Sequence, residues 1–275
     1  MRVLILGYGS IGKRHHEVLK TIDPDVSVDI FDPQLGYNQC ILGPTTDRYD
    51  IGLVCTQTVD HLWSARNIRD YCDLLFIEKP LHSSSREMKR MSRQFTDSKI
   101  HVGCNIRYTQ AVEKFKGACK NARLIRITAM SDLSKWRHDP GRRSYSFRRA
   151  AGGGVLLDFI HEPDYVAHCL GYPNRPIVVA EDRLHSRVTE DSDDSCMMLW
   201  QYGNKLVSFC LSYGSEEYVR RIDILNDDTT SEVIHITKDD VESSYRKQWL
   251  DVLKNGPSNS YDDCLTLHNK LFGST

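Results

Sequence analysis

The sequence predicts an α/β chain in two parts. A parallel sheet flanked by helices comes first, and an α+β body with a mostly antiparallel sheet follows. Three observations predict it. Short apolar runs alternate with helical patterns over the first hundred residues, as βαβ units require. A glycine-spaced turn joins the first run to the first helix. Strand-like runs then follow one another without intervening helices in the second half. The chain has 275 residues, enough for two modest domains, and the change of pattern divides it into 1–106 and 107–275.

The bulk composition narrows the function classes. The 36 basic residues nearly cancel the 37 acidic ones, so no global field favours nucleic acid or a membrane surface. Nine cysteines are scattered with no CxxC spacing, and their number is odd. That pattern argues against a zinc site or a secreted disulfide framework and for reduced thiols. The opening run VLILG is short and ends in glycine, and no later run approaches about 18 apolar residues. A soluble cytoplasmic protein with no metal and no membrane partner is expected.

Residues 2–6 (RVLIL) read as a buried strand, and the run KRHHEVLKTI reads as a helix. Between them stands Gly7-Tyr8-Gly9-Ser10-Ile11-Gly12. In such a G-x-G-x-x-G turn the first glycine makes the bend and the second admits a pyrophosphate. The third lets helix and strand pack closely. The helix N-terminus then presents N–H groups and a positive dipole end to phosphate. The strand and helix on either side make this a Rossmann dinucleotide-binding pattern rather than a stray glycine motif. The next strand, VSVDIF, leads into Asp32, 20 positions beyond Gly12. That is the spacing of the acidic residue that accepts hydrogen bonds from a ribose diol and repels a 2′-phosphate, so NAD is expected over NADP. Asp32 also opens a DP turn, which is the structural alternative.

The remaining elements of the first part follow in order. YDIGLVCT is a strand running to Thr56, His61 to Tyr71 is a helix, and DLLFIEKP is a strand ending in Glu78, Lys79 and Pro80. Residues 84–95 are helical in pattern, and KIHVGCN at 99–105 is a further element ending in Asn105. The stretch between Asp32 and Cys55 contains Pro33, Gly36, Gly43 and Pro44, too little room and too many breakers for a full Rossmann half. A shortened connection with one small strand around QCIL is expected there. Ligands bind beyond the carboxyl ends of the strands in such sheets, which is where Thr56, Lys79 and Asn105 fall.

The second part opens with a helix over 109–120 and the strand ARLIRITAMSDL. A basic stretch holding Trp136, Arg137, Arg142, Arg143, Tyr145, Arg148 and Arg149 comes next. AGGGVLLDFIHEPDYVAHCLG has helical spacing after its glycines. PIVVAEDRLHS, SCMMLWQY, KLVSFCLSY, RRIDILN and SEVIHIT read as strands, and a helix over 242–254 and a helical tail close the chain.

The order GYGSIG, EKP and GGGVLLDFIHEPD, together with His61 and VGCNIRY at 102–108, resembles the glucose–fructose oxidoreductase / inositol dehydrogenase (Gfo/Idh/MocA) family. The tryptophan- and arginine-bearing segment before the glycines and the D-x-x-H-E run are similar to a surface-sugar biosynthesis subgroup. The resemblance spans nearly the whole chain. It implies hydride transfer between a nicotinamide and a hydroxyl or carbonyl, with Lys79, Asp158 and His161 as the catalytic set. It places Tyr8, Ser10, Ile11, Thr56, His61, Glu78 and Lys79 with the three glycines and Asp32 at the cofactor. Asn105, Arg107, Tyr108, Trp136, Arg137, Arg142 and Tyr145 are expected at the substrate. The chemistry suits these residue types. An imidazole moves a proton near neutral pH, and an ammonium stabilises alkoxide charge. Many family members separate the aspartate and histidine by four positions, whereas here the separation is three. On one helix both spacings share a face, with the groups rotated relative to one another, and Pro163 is expected to disturb that helix.

Five arginines between 137 and 149 suit a carboxylate or phosphate, so an acidic or nucleotide-linked sugar is the expected substrate. A solvated loop is the structural alternative. Two other functions stay open: a non-catalytic NAD(P)-binding sensor or regulator on the same fold, and a reductase of another small carbonyl compound. The resemblance also implies a homodimer or homotetramer paired through the second domain's sheet.

Overall fold

A computed structural model of the chain describes residues 1–37, 48–96, 99–135, 145–173, 177–184 and 189–272. Two compact units are present. The first comprises Met1–Asn105 and Ser243–Thr266, the second Ile106–Glu242 and Leu267–Thr275.

In the first unit β1 (Arg2–Leu6), α1 (Ser10–Ile22), β2 (Ser27–Phe31) and β3 (Tyr49–Val54) come first. Then come α2 (His61–Ile68), β4 (Cys72–Ile77), α3 (Ser85–Gln94) and β5 (Ile100–Val102). The five strands are parallel in the order β2-β1-β3-β4-β5. Strand β1 is apolar and buried from Val3 to Leu6, because both of its faces are covered. Val3 and Ile5 pack with Leu19 of α1, Trp249 and Val252. Leu4 and Leu6 share a second cluster with Leu62 and Ala65 of α2 and Met88 and Met91 of α3. Between β2 and β3 the described residues hold a 3-10 turn at Pro33–Leu35 and no α-helix. The strand expected around 39–42 lies outside the described residues.

The second unit holds α4 (Gln110–Ala118), β6 (Ala122–Asp132), α5 (Val155–Asp158), α6 (His161–Leu170), β7 (Val178–Asp182) and β8 (Ser195–Tyr202). It continues with β9 (Lys205–Ser212), β10 (Gly214–Asn226) and β11 (Ser231–His235). Its sheet runs β11-β10-β6-β9-β8-β7. Every pairing is antiparallel except β6 with β9. Ile125, Ile127, Val207, Phe209, Ile222 and Ile224 line the covered face, in one core with Val112 and Phe115 of α4 and Leu156 and Val166 of α5 and α6. On the open face Leu225, Leu124 and Leu206 stand side by side in register across β10, β6 and β9, each about two-fifths exposed.

Two helices close the chain, α7 (Lys238–Asn255) and α8 (Ser260–Phe272). The chain passes from the first unit to the second at Asn105–Ile106, and residues 243–266 group with the first unit. The physical reason is burial: Trp249 and Val252 fill the core beneath β1 and β3. No helix among the described residues is long and apolar enough to cross a membrane.

Candidate functional site

The glycine turn is built by two close approaches and one opening. Gly7 has φ +88°, and a Cβ there would lie 2.6 Å from the Cys55 carbonyl. A Cβ on Gly12 would lie 2.2 Å from the Gly7 carbonyl oxygen. Gly9, with φ −72°, has nothing within 4 Å of its Cβ position. Only at Gly9 does the missing side chain leave room for something outside the fold. Gly9 caps α1 with no side-chain hydrogen bond, so the first turn keeps its amides for an anion. Ser10 is exposed and Ile11 half-buried beside them. This geometry fits a dinucleotide pyrophosphate.

Asp32 ties the end of β2 to this turn. One carboxylate oxygen accepts from the Tyr8 amide at 2.8 Å and the other from the Gln34 amide at 3.1 Å. Both alternatives for Asp32 are thus compatible, since a carboxylate has about four acceptor positions and two remain. The Tyr8 hydroxyl sits 2.6 Å from His16 Nδ1, and its ring packs edge-on against Tyr37.

After β3, Thr56 Oγ1 meets Ser64 Oγ at 3.1 Å. His61 is buried, with Nε2 3.2 Å from the Thr56 carbonyl oxygen. Desolvation lowers its pKa to about 4, so the ring is neutral and Nε2 donates to that carbonyl. His61 therefore pins the loop after β3.

The Glu78 amide bonds the Val54 carbonyl, which extends β4 beyond Ile77, and the Lys79–Pro80 peptide is cis. Glu78 is buried at 5% exposure. Its Oε1 lies 2.8 Å from His15 Nε2, and its Oε2 accepts from the Lys79 amide at 3.2 Å. His15 Nδ1 in turn accepts from the Trp249 indole at 2.8 Å. A Cβ on Gly103 would lie 2.4 Å from Glu78 Oε1, so the glycine of VGCN makes room for this carboxylate. The sequence reading missed His15, Trp249 and Gly103. His15 shares a helix face with Leu19 at i, i+4, which signals burial, but nothing in sequence links it to Trp249. Asn105 is buried and donates to Ser244 Oγ at 2.7 Å, which places it in the interior instead of on an open cleft.

In the second unit the expected single helix is two. α5 ends at Asp158 and α6 begins at His161, so the two residues do not share one helical face. Pro163 lies in the first turn of α6, where its missing N–H costs least, and the break falls at Phe159–Ile160 instead. Both Asp158 and His161 are buried. Asp158 accepts from the Tyr145 hydroxyl at 3.3 Å and from the Tyr213 hydroxyl. Burial, then the neighbouring Asp158 charge, push the Tyr213 phenol well above its ordinary pKa, so Tyr213 remains a donor. Tyr213 escaped the sequence reading because only strand pairing brings it near Asp158.

The acids after His161 are each matched by an arginine. Glu162 pairs with Arg220 at 2.6 Å. Asp164 takes both arms of the Arg107 fork, at 2.8 and 2.5 Å, in a nearly buried pair. Arg107, expected at the substrate, thus holds α6 in place. Tyr108 is half-buried. Trp136, Arg137, Arg142 and Arg143 lie outside the described residues.

No family model matches the chain. Its sequence is 26% identical over 187 residues to a myo-inositol 2-dehydrogenase of Thermotoga maritima, an alignment covering 62% of this chain. The chain spans about half, 55%, of that relative's length. Many solved structures share the fold, three of them as follows. GenD2 from gentamicin A biosynthesis, in complex with NAD, has a TM-score of 0.78 at 17% identity, covering 98% of this chain and 92% of that one. A myo-inositol dehydrogenase of Corynebacterium glutamicum has 0.75 at 13%, covering 97% and 93%. A super-repressor mutant of Gal80p from Saccharomyces cerevisiae has 0.78 at 12%, covering 100% and 97%.

Proposed function

We propose that this chain, which has the fold and motif order of the Gfo/Idh/MocA oxidoreductases, is an NAD-dependent dehydrogenase or reductase of a sugar or polyol. The observation that carries the reading is the glycine turn. Gly7 and Gly12 are filled by the fold itself, whereas Gly9 opens outward beside an uncapped helix N-terminus. A nicotinamide dinucleotide bound there supplies the hydride acceptor or donor. Gly9, Ser10 and Ile11 hold its pyrophosphate, and Asp32 takes the ribose diol with its remaining acceptor positions. Its negative charge disfavours a 2′-phosphate, which selects NAD over NADP.

Oxidising a CH–OH group breaks one C–H bond as a hydride and one O–H bond as a proton, and leaves a carbonyl. The residues of this chain manage the oxygen side. Lys79 stabilises the developing alkoxide, and His161 takes the proton. Asp158, fixed by Tyr145 and Tyr213, orients the substrate or the imidazole. Asp158 and His161 come from separate short helices, so their three-residue spacing imposes no helical rotation on them. The finer substrate reading is an acidic or nucleotide-linked sugar, and it rests on the arginine-bearing segment 137–149 alone. The open sheet face with Leu225, Leu124 and Leu206 supports a homodimer or homotetramer, which light scattering tests; a monomer refutes it.

A second reading is a dinucleotide-sensing regulator. The similarity of fold to Gal80p favours it. Fluorescence titration of cofactor-stripped protein with NADH and NADPH tests the cofactor assignment: tighter NADH binding supports it, tighter NADPH binding overturns the Asp32 argument, and binding of neither removes both readings. NADH binding without turnover of any sugar or polyol supports the regulator.

A further inference from the structure

We infer that His15 is a positioning residue for the Lys79 strand end, and that Trp249 and Glu78 together fix the imidazole tautomer through which it acts. The chain of contacts runs through one unit: the Trp249 indole to His15 Nδ1 at 2.8 Å, His15 Nε2 to Glu78 Oε1 at 2.8 Å, and Glu78 Oε2 to the Lys79 amide at 3.2 Å.

Donor chemistry sets the direction. An indole N–H is a donor only, so His15 Nδ1 is the acceptor and the ring proton sits on Nε2. Nε2 then donates to the carboxylate, which leaves Glu78 Oε2 to accept from Lys79. The other tautomer would set a donor against a donor at Trp249 and an acceptor against an acceptor at Glu78. In a buried cluster each such mismatch carries the desolvation cost of an unmade hydrogen bond.

The packing leaves the ring no second orientation. His15 is fully buried and meets Phe76, Tyr245 and Trp249 edge-on at centroid distances of 5.1, 5.5 and 5.6 Å. Phe76 stacks on Trp249 at 4.4 Å. Gly103 gives the carboxylate its place. A residue of α7, more than two hundred positions from the glycine turn, thereby sets the aim of a side chain at the end of β4. This inference rests on the role proposed for Lys79 only in what the positioning is for; the contacts themselves are independent of it.

The test uses the full chain and Trp249→Phe, which keeps an aromatic ring against Phe76 and loses the N–H. Isotope-labelled histidine reports the tautomer by NMR, and hydrogen exchange reports the Lys79 amide. The wild type is expected as a single Nε2–H tautomer. In the variant Glu78 still holds the proton on Nε2, while Nδ1 loses its donor; a shifted Nδ1 resonance is expected, with Lys79 amide exchange at least about tenfold faster, since about 1.4 kcal/mol corresponds to that factor. The variant's kcat is expected to fall roughly 10- to 100-fold through misplacement, with the NADH Kd within about twofold. Glu78→Gln, nearly isosteric, breaks the last link by setting an amide N–H against the Lys79 N–H. It serves as the second variant if Trp249→Phe does not fold. An unchanged Nδ1 resonance or unchanged Lys79 exchange in Trp249→Phe overturns the inference, as does unchanged Lys79 exchange in Glu78→Gln. If the wild type turns over no substrate, the proposed activity falls, while the tautomer and exchange readouts still decide the role of His15.

Discussion

Replacing Gly9 and Gly12 by alanine, one at a time, separates the fold's need for glycine from the ligand's. At Gly12 the new Cβ would sit 2.2 Å from the Gly7 carbonyl oxygen, and real Cβ atoms essentially never approach closer than 3.0 Å. The gap of 0.8 Å (3.0 − 2.2) has to be opened by moving backbone, because the obstacle is not the tip of a flexible side chain. Overpacking of this kind costs about 1–3 kcal/mol, offset by up to about 1 kcal/mol of helix propensity gained over glycine. Gly12→Ala is therefore expected to lose roughly 1–2 kcal/mol of stability in a urea titration. At Gly9 the Cβ meets nothing within 4 Å, and its φ of −72° suits any residue. Gly9→Ala is expected to stay within about 1 kcal/mol of wild type, the scale of an N-cap change. Its methyl stands where the pyrophosphate would lie, so NADH binding should weaken by roughly 100-fold, the equivalent of about 2.7 kcal/mol. A Gly9→Ala protein that binds NADH like the wild type refutes the cradle, and a Gly12→Ala protein of wild-type stability refutes the steric argument.

Further expectations follow from the buried charges and hydroxyls. His61 falls from an ordinary 6.5 to about 4, so below about pH 6.5 the unfolded chain takes up a proton that the folded chain refuses. Its contribution of about 3 kcal/mol is present above pH 6.5 and fades as the pH falls towards 4. His61→Gln should flatten the pH dependence of urea unfolding in that window, and an unchanged slope contradicts the assignment. Asp164→Asn leaves Arg107 buried without its carboxylate and should cost about 3–5 kcal/mol. A joint replacement of Arg107 and Asp164 by apolar residues should cost less than the single change, measured by denaturant unfolding. Tyr213→Phe removes a donor from Asp158 and should lower kcat by roughly tenfold, from a hydrogen bond to a charged group worth about 1.5–3 kcal/mol, with NADH affinity retained.

The parts of this molecule legible in sequence are those set by local pattern. The run RVLIL had to be a two-faced buried strand, and GYGSIG declared a turn whose glycines each meet a different constraint. The alternation over the first hundred residues fixed a parallel sheet, and the succession of strand-like runs after 176 fixed the second. What stayed hidden depends on distant parts of the chain. Trp249 reads as one apolar position of a terminal helix, yet it returns to the first unit and donates to His15. Tyr213 meets Asp158 only because β9, which it follows directly, runs beside α5. Arg107 looked available because its partner lies 57 positions away. Asp158 and His161 looked like one helical face because a two-residue interruption has no strong composition signal, whereas the proline that drew attention sits where a helix accepts it. At the site, therefore, residue types were readable and their commitments were not.

The most direct test of the account is turnover. Cofactor-stripped wild type and Lys79→Ala are each supplied with NAD and a panel of polyols and sugars, neutral, acidic and nucleotide-linked, while the fluorescence of reduced nicotinamide is followed. The account predicts NADH formation by the wild type with at least one of these substrates, and loss of that formation in Lys79→Ala at unchanged NADH affinity. Equal rates in the two proteins would contradict the role given to Lys79, and a wild type that binds NADH yet reduces no NAD with any substrate would contradict the enzyme itself.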